Sequence, residues 1–104
     1  MEDEVVKALQ ALEAALRSYA RARGPMEISI LRAAGLIEMM ISTRALYRYH
    51  EEDTFFTLLD EAVKVLLGHA ELVKKELGVK LLRKGSEVYL LVPLETLERL
   101  TREG

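Results

Sequence analysis

The sequence predicts a mainly α protein: three long helices in a bundle, a C-terminal β-hairpin and a short final helix. Three observations carry this. Two stretches show apolar residues at alternating spacings of three and four, and a third between them is apolar on nearly every side. After Gly78 the pattern changes to short branched and aromatic runs. Pro93 then sets off one last amphipathic stretch. The 104 residues make one domain, with the bundle over 2–77, the hairpin over 79–92 and the terminal helix over 94–102.

The first helix is expected from Glu2 to Arg23. Val5, Leu9, Leu12, Leu16 and Tyr19 form its stripe, and Ala8, Ala11 and Ala15 beside it allow close approach of a neighbour. Acidic Glu2, Asp3 and Glu4 suit its positive end; Arg17, Arg21 and Arg23 suit its negative end. Gly24-Pro25 is expected to stop it.

A second helix is expected from Pro25 to about His50. Of the fourteen residues Glu27–Met40, only Glu27, Ser29, Arg32 and Glu38 are polar. A helix greasy all round needs cover on several sides, and a chain this short can hide only a modest core. Part of that cover is expected from another subunit. Ala33-Ala34-Gly35 in its middle permits either close packing or a break.

Asp53 or Thr54 is read as the N-cap of a third helix running to Leu77. Phe55, Leu59, Ala62, Leu66, Ala70, Val73 and Leu77 share its face, and Gly78 sits where a left-handed cap belongs. Gly68 interrupts it, as a packing glycine or a break. Val79–Lys84 and Glu87–Val92 flank Gly85-Ser86, a two-residue hairpin turn that sets Lys84 opposite Glu87 and Leu81 opposite Leu90. Leu94, Leu97 and Leu100 mark the last helix.

Composition narrows the function classes. Fifteen Lys+Arg against seventeen Asp+Glu give a net charge of -2, which argues against a free-standing tight DNA binder but allows a few phosphate contacts. There is no cysteine, hence no disulfide, thiolate metal site or cysteine nucleophile. No run is long and apolar enough for a membrane span, and the acidic N-terminus is unlike a signal peptide, so a cytoplasmic protein is expected. The absence of Asn and the single Gln, with abundant Glu, Arg and Leu, suit a thermophile.

Arg44-Ala45-Leu46-Tyr47-Arg48-Tyr49-His50 is the densest chemistry-bearing run. Arg44 and Arg48 lie one turn apart with tyrosines alongside, a pattern that can pair phosphates and stack bases. The alternative is that the tyrosine rings pack inward. Arg44 and His50 with five residues between them also resemble the signature of HEPN ribonucleases, although Ala45 replaces the polar residue that family places after the arginine. Arg17-Arg21-Arg23, Lys74-Lys75 and Lys80-Arg83-Lys84 are further basic clusters. Thr57–Leu66, a break at Gly68, His69–Leu77 and the hairpin follow the order of a winged helix, though the second helix offers no arginine to base edges.

Catalysis has little support. His50 and His69 have no nucleophile at recognisable spacing, and His50-Glu51-Glu52-Asp53 cannot converge on one ion from a single helix. No catalytic residue, metal ligand or cofactor is expected.

In its short length, its long helices over 2–77 and its small β element at Val79–Val92, the chain resembles the small subunit of archaeal type I-A CRISPR surveillance complexes. That resemblance implies a non-catalytic subunit of a ribonucleoprotein complex. It would stack in several copies against itself and its partner subunits and touch nucleic-acid backbone weakly. Arg44, Arg48, Arg17, Arg21 and Lys84 are the expected phosphate contacts. A structural, antitoxin-like helical partner is the remaining alternative.

Overall fold

The computed structural model describes residues 3–50 and 56–103. In order they form α1 (Asp3–Ala34), β1 (Glu38–Ser42), α2 (Thr43–Tyr47), α3 (Leu59–Leu66), a 3-10 turn (Leu67–His69), α4 (Ala70–Leu77), β2 (Lys80–Lys84), β3 (Glu87–Pro93) and α5 (Leu94–Glu103). The chain is mostly helical, with one small antiparallel sheet. Residues 51–55, including the expected cap at Asp53 or Thr54 and Phe55 beyond it, lie outside the described residues.

The expected stripe on α1 is the spine of the core. Val5, Leu9, Leu12, Leu16 and Tyr19 are buried, and so are Ala8, Ala11 and Ala15. The helix does not stop at Gly24-Pro25 but continues to Ala34. A proline disfavours helical backbone in the residue before it partly through that residue's Cβ, which Gly24 lacks. The carbonyl left without its helical donor by the missing Pro25 N–H belongs to Arg21, an exposed residue.

The expected second helix, Pro25–His50, is therefore a correction. Residues 25–34 belong to α1, Glu38–Ser42 is a strand, and only Thr43–Tyr47 is a separate helix. Gly35 takes φ 70°, the left-handed conformation that ends helices, and a Cβ there would touch nothing. Beyond it the apolar run reads at period two. Ile41 is buried and Met39 packs against the core, while Glu38 and Met40 face out.

β1 pairs antiparallel with β3, so the expected hairpin is part of a three-stranded sheet in the order β1-β3-β2. Within the hairpin Lys84 faces Glu87 and Leu81 faces Leu90, with Gly85 at φ 63° in the turn. The Leu94 N–H donates to the Ile37 carbonyl at 2.7 Å, extending the β1–β3 pairing past Pro93. Pro93, which has no N–H to give, sits opposite Glu38. Ile41, Leu90 and Val92 turn inward onto the helices.

The expected third helix is two helices. α3 buries Leu59, Ala62, Val63 and Leu66; α4 buries Val73 and Leu77. Between them His69 adopts φ -134°, ψ 40°, outside the helical region. Gly68 has open space where a Cβ would be, so it is not a packing glycine; it loosens the backbone at the corner. Gly78 at φ 72° closes α4, its N–H donating to the Lys74 carbonyl at 2.9 Å.

α5 lies along α1. Leu97 and Leu100 are buried, and Arg32–Glu98 at 2.5 Å and Arg17–Glu103 at 2.9 Å bridge the pair. A Cβ on Gly24 would collide with the Thr101 side chain, so the glycine lets the two helices meet. Among the described residues no helix is long and apolar enough to cross a membrane.

Candidate nucleic-acid interface

α2 presents the basic-aromatic run because its other face is pinned. Ser42 caps it, its Oγ accepting from the Arg44 N–H at 3.2 Å. Thr43 is buried and its hydroxyl donates to the Val88 carbonyl at 3.0 Å. Leu46 is fully buried. With 43 and 46 held inward, Arg44, Ala45, Tyr47 and Arg48 turn to solvent.

Arg48 and Arg23 line one cavity of about 280 Å³ with Tyr19, Ala45 and Tyr49. The two tyrosine rings meet edge to face, centroids 5.4 Å apart at 81°. Tyr19 is buried, and its hydroxyl donates to Glu27 Oε1 over a long 3.5 Å. Burial first, then the Glu27 charge, pushes its phenol above the usual tyrosine range. Arg23 Nε contacts the same Glu27 oxygen at 3.5 Å. Arg48 has no carboxylate partner among the described residues.

Arg44 extends this surface to the sheet. Its guanidinium lies 3.6 Å from Glu87 Oε1, with the arginine side chain 76% exposed. A pair that open contributes little to stability and leaves the cation available to a competing anion. Glu87 also accepts from the Tyr89 hydroxyl at 2.7 Å and faces Lys84 across the hairpin. Arg44 and Lys84 thus share Glu87 as a neighbour, while Arg48 and Arg23 share the cavity.

The other expected contacts stand elsewhere. Arg17 is held between Glu13 at 3.6 Å and Glu103 at 2.9 Å, tying α1 to α5. That pairing holds the Glu103 carboxyl below its usual range. Arg21 is exposed but lies about 160° round the helix from Arg23. Tyr47 is also engaged: its hydroxyl donates to Asp60 Oδ1 at 3.0 Å, and Asp60 pairs with Lys64 at 3.1 Å.

The arginine and histidine of the ribonuclease-like spacing go to different partners, Arg44 to Glu87 and His50 Nε2 to the Phe56 carbonyl at 3.0 Å. No group of three potential metal ligands converges among the described residues. Tyr19 is the member of the cavity that sequence reasoning missed, and Arg23 figures there only within a basic cluster, not among the expected contacts. Their four-residue spacing is visible, with Tyr19 ending the buried stripe, but α2 is what closes the cavity over them. No protein-family model matches the chain, and no curated protein or solved structure does either.

Proposed function

We propose that this chain is a non-catalytic nucleic-acid-binding subunit that holds the sugar-phosphate backbone along Arg23, Arg48, Arg44 and Lys84. The observation that carries the reading is the cavity in which Arg23 and Arg48 stand beside two tyrosine rings, continued by Arg44 toward the hairpin. Guanidinium groups pair phosphate oxygens, and a half-buried tyrosine such as Tyr49 offers a ring to an unpaired base. Only three or four phosphates are engaged, so affinity is modest and repetition or partner subunits supply the rest. In a type I-A CRISPR surveillance complex, the setting the resemblance suggests, such a subunit would line the path of a target or displaced strand.

The test is a salt series with single-stranded DNA, single-stranded RNA and duplex. The expected plot of log affinity against log salt has a slope of about -2 to -3. Arg48→Ala should lower that slope by about 1, whereas Arg21→Ala should leave it unchanged. A protein that ignores all three nucleic acids at low salt is the structural partner instead, and the proposal fails.

A second reading, a winged-helix regulator, is favoured by one observation: β1 precedes α3 and α4, the hairpin follows them, and the sheet order is β1-β3-β2. α4 would then face a groove with Lys74 and Lys75 exposed beside Glu71 and Glu76. That reading expects selective retention of one duplex, abolished by Lys75→Ala and untouched by Arg48→Ala.

A further inference from the structure

Five of the large apolar side chains left exposed on the described surface come from one stretch of fifteen residues. Ile37 is 79% exposed, and Met26, Ile30, Leu36 and Met40 are between 45% and 54% exposed. The stretch spans the end of α1, the turn at Gly35 and strand β1. A monomer seldom leaves so many large apolar side chains of one segment in water without a use for them.

Strand β1 is also an open edge. Among the described residues it packs on β3 and, at its end, on α2. The opposite edge, β2, carries Lys80, Arg83 and Lys84, charges of the kind that discourage edge-to-edge pairing. β1 carries Glu38 alone. Its free hydrogen-bonding groups can be assigned. The Leu94 N–H donates to the Ile37 carbonyl, so 37 and 94 are a hydrogen-bonded pair, and the alternation of an antiparallel ladder makes 39 and 41 hydrogen-bonded to β3 as well. The N–H and C=O groups of Glu38 and Met40 and the N–H of Ser42 then point to the open side, while the Ser42 carbonyl, at the N-cap, starts α2.

From these features we infer that β1 pairs antiparallel with β1 of a second copy about a two-fold axis at Met40, with the α1 ends closing over the junction. The register is self-consistent. It sets Met40 against Met40 of the second copy and Glu38 against Ser42, so the outward groups of Met40 meet each other, the Glu38 carbonyl meets the Ser42 N–H, and no like charges oppose. A parallel arrangement would bring the two Glu38 carboxylates together. The area is also adequate. The five side chains expose roughly 500 Å², close to the apolar share of the ~800 Å² that each partner buries in a standard interface. A phosphate backbone is a poor alternative occupant, because Glu38, Glu95 and Glu98 rim the neighbouring groove of about 480 Å³ beside Ile37.

The chain has no cysteine, which permits a direct test. In a hydrogen-bonded antiparallel pair the Cα atoms lie about 5.5 Å apart, within disulfide range. Met40→Cys should therefore form a covalent dimer on mild oxidation, while Glu71→Cys, on α4, should remain monomeric. Sedimentation of the unmodified chain should show a dimer at micromolar concentration. Ile37→Glu and Met40→Pro should each weaken that dimer at least 100-fold. Both positions are exposed, and helical circular dichroism at the same concentration serves to confirm that the variants fold. A monomer at 100 micromolar, a dimer unaffected by both substitutions, or equal cross-linking at positions 40 and 71 would overturn the inference. None of these readouts involves nucleic acid, so the outcome is separate from the backbone-binding proposal.

Discussion

Gly24 and Thr101 occupy the same crossing point: a Cβ on the glycine would lie 3.3 Å from the Thr101 Cβ and 3.2 Å from its Cγ2, with Oγ1 nearer still. Thr101 has little room to turn away, since its hydroxyl donates to the Leu97 carbonyl at 2.7 Å. Gly24→Ala is expected to destabilise the protein by about 1–2 kcal/mol, overpacking outweighing the better helix propensity of alanine. In a Thr101→Ala background the same change should be neutral or stabilising. Urea unfolding of the four proteins in this cycle measures the coupling, and strictly additive effects would refute it.

Gly68 should respond in the opposite direction. Its backbone is not left-handed, and a Cβ added there would meet nothing within 4 Å. Gly68→Ala should stabilise by about 0.4–1 kcal/mol, mainly by restricting the unfolded chain. A fall in thermal midpoint would show that the corner between α3 and α4 needs the glycine itself.

The tyrosines predict a loss of stability in alkali. Burial raises the phenols of Tyr19 and Tyr47, and the Glu87 carboxylate raises that of Tyr89. A group raised on folding stabilises below its unfolded value, here about 10, and that contribution is lost as pH climbs through the folded value. Stability should therefore fall above about pH 10. Tyr19→Phe should flatten the fall, and phenolate absorbance should show tyrosines ionising late in the native protein.

Acid behaves with the opposite sign. Glu103 is held low by Arg17, and Asp60 by Lys64 and then Tyr47. Carboxyls lowered on folding stabilise above their unfolded values and lose that contribution as pH falls through the folded ones. Arg17→Ala should lower stability at pH 7, with the gap to the unmodified chain narrowing below about pH 4. The proposed backbone binding should not respond to this substitution, because Arg17 serves the α1–α5 contact.

Local patterns were legible wherever neighbours in sequence decide the outcome. The buried stripe from Val5 to Tyr19, the cap at Gly78, the Lys84–Glu87 pairing and the amphipathic last helix all follow from spacing and turn chemistry. Gly24-Pro25 misled because its resolution is distant: the glycine that eases the proline also admits Thr101, 77 positions away. Met39-Met40-Ile41 misled because an apolar run fits both periods, and only the partner strand β3 selects period two. The surroundings of the basic residues divide the same way. The exposure of Arg44 and Arg48 follows from the short helix that carries them, Arg17 is engaged by a helix some 80 residues downstream, and Arg23 meets Arg48 through the packing of α2 on α1.

The packing of α1 on α5 has a consequence during synthesis. α1 emerges from the ribosome before its partners: Arg17, Gly24 and Arg32 wait for α5, and Met39 and Ile41 wait for β3. Contacts this remote in sequence carry a large loop-closure cost before they return anything. The nascent polypeptide must therefore hold a long greasy helix without its lid until translation has passed Glu103, and that interval is when chaperones or proteases would find it.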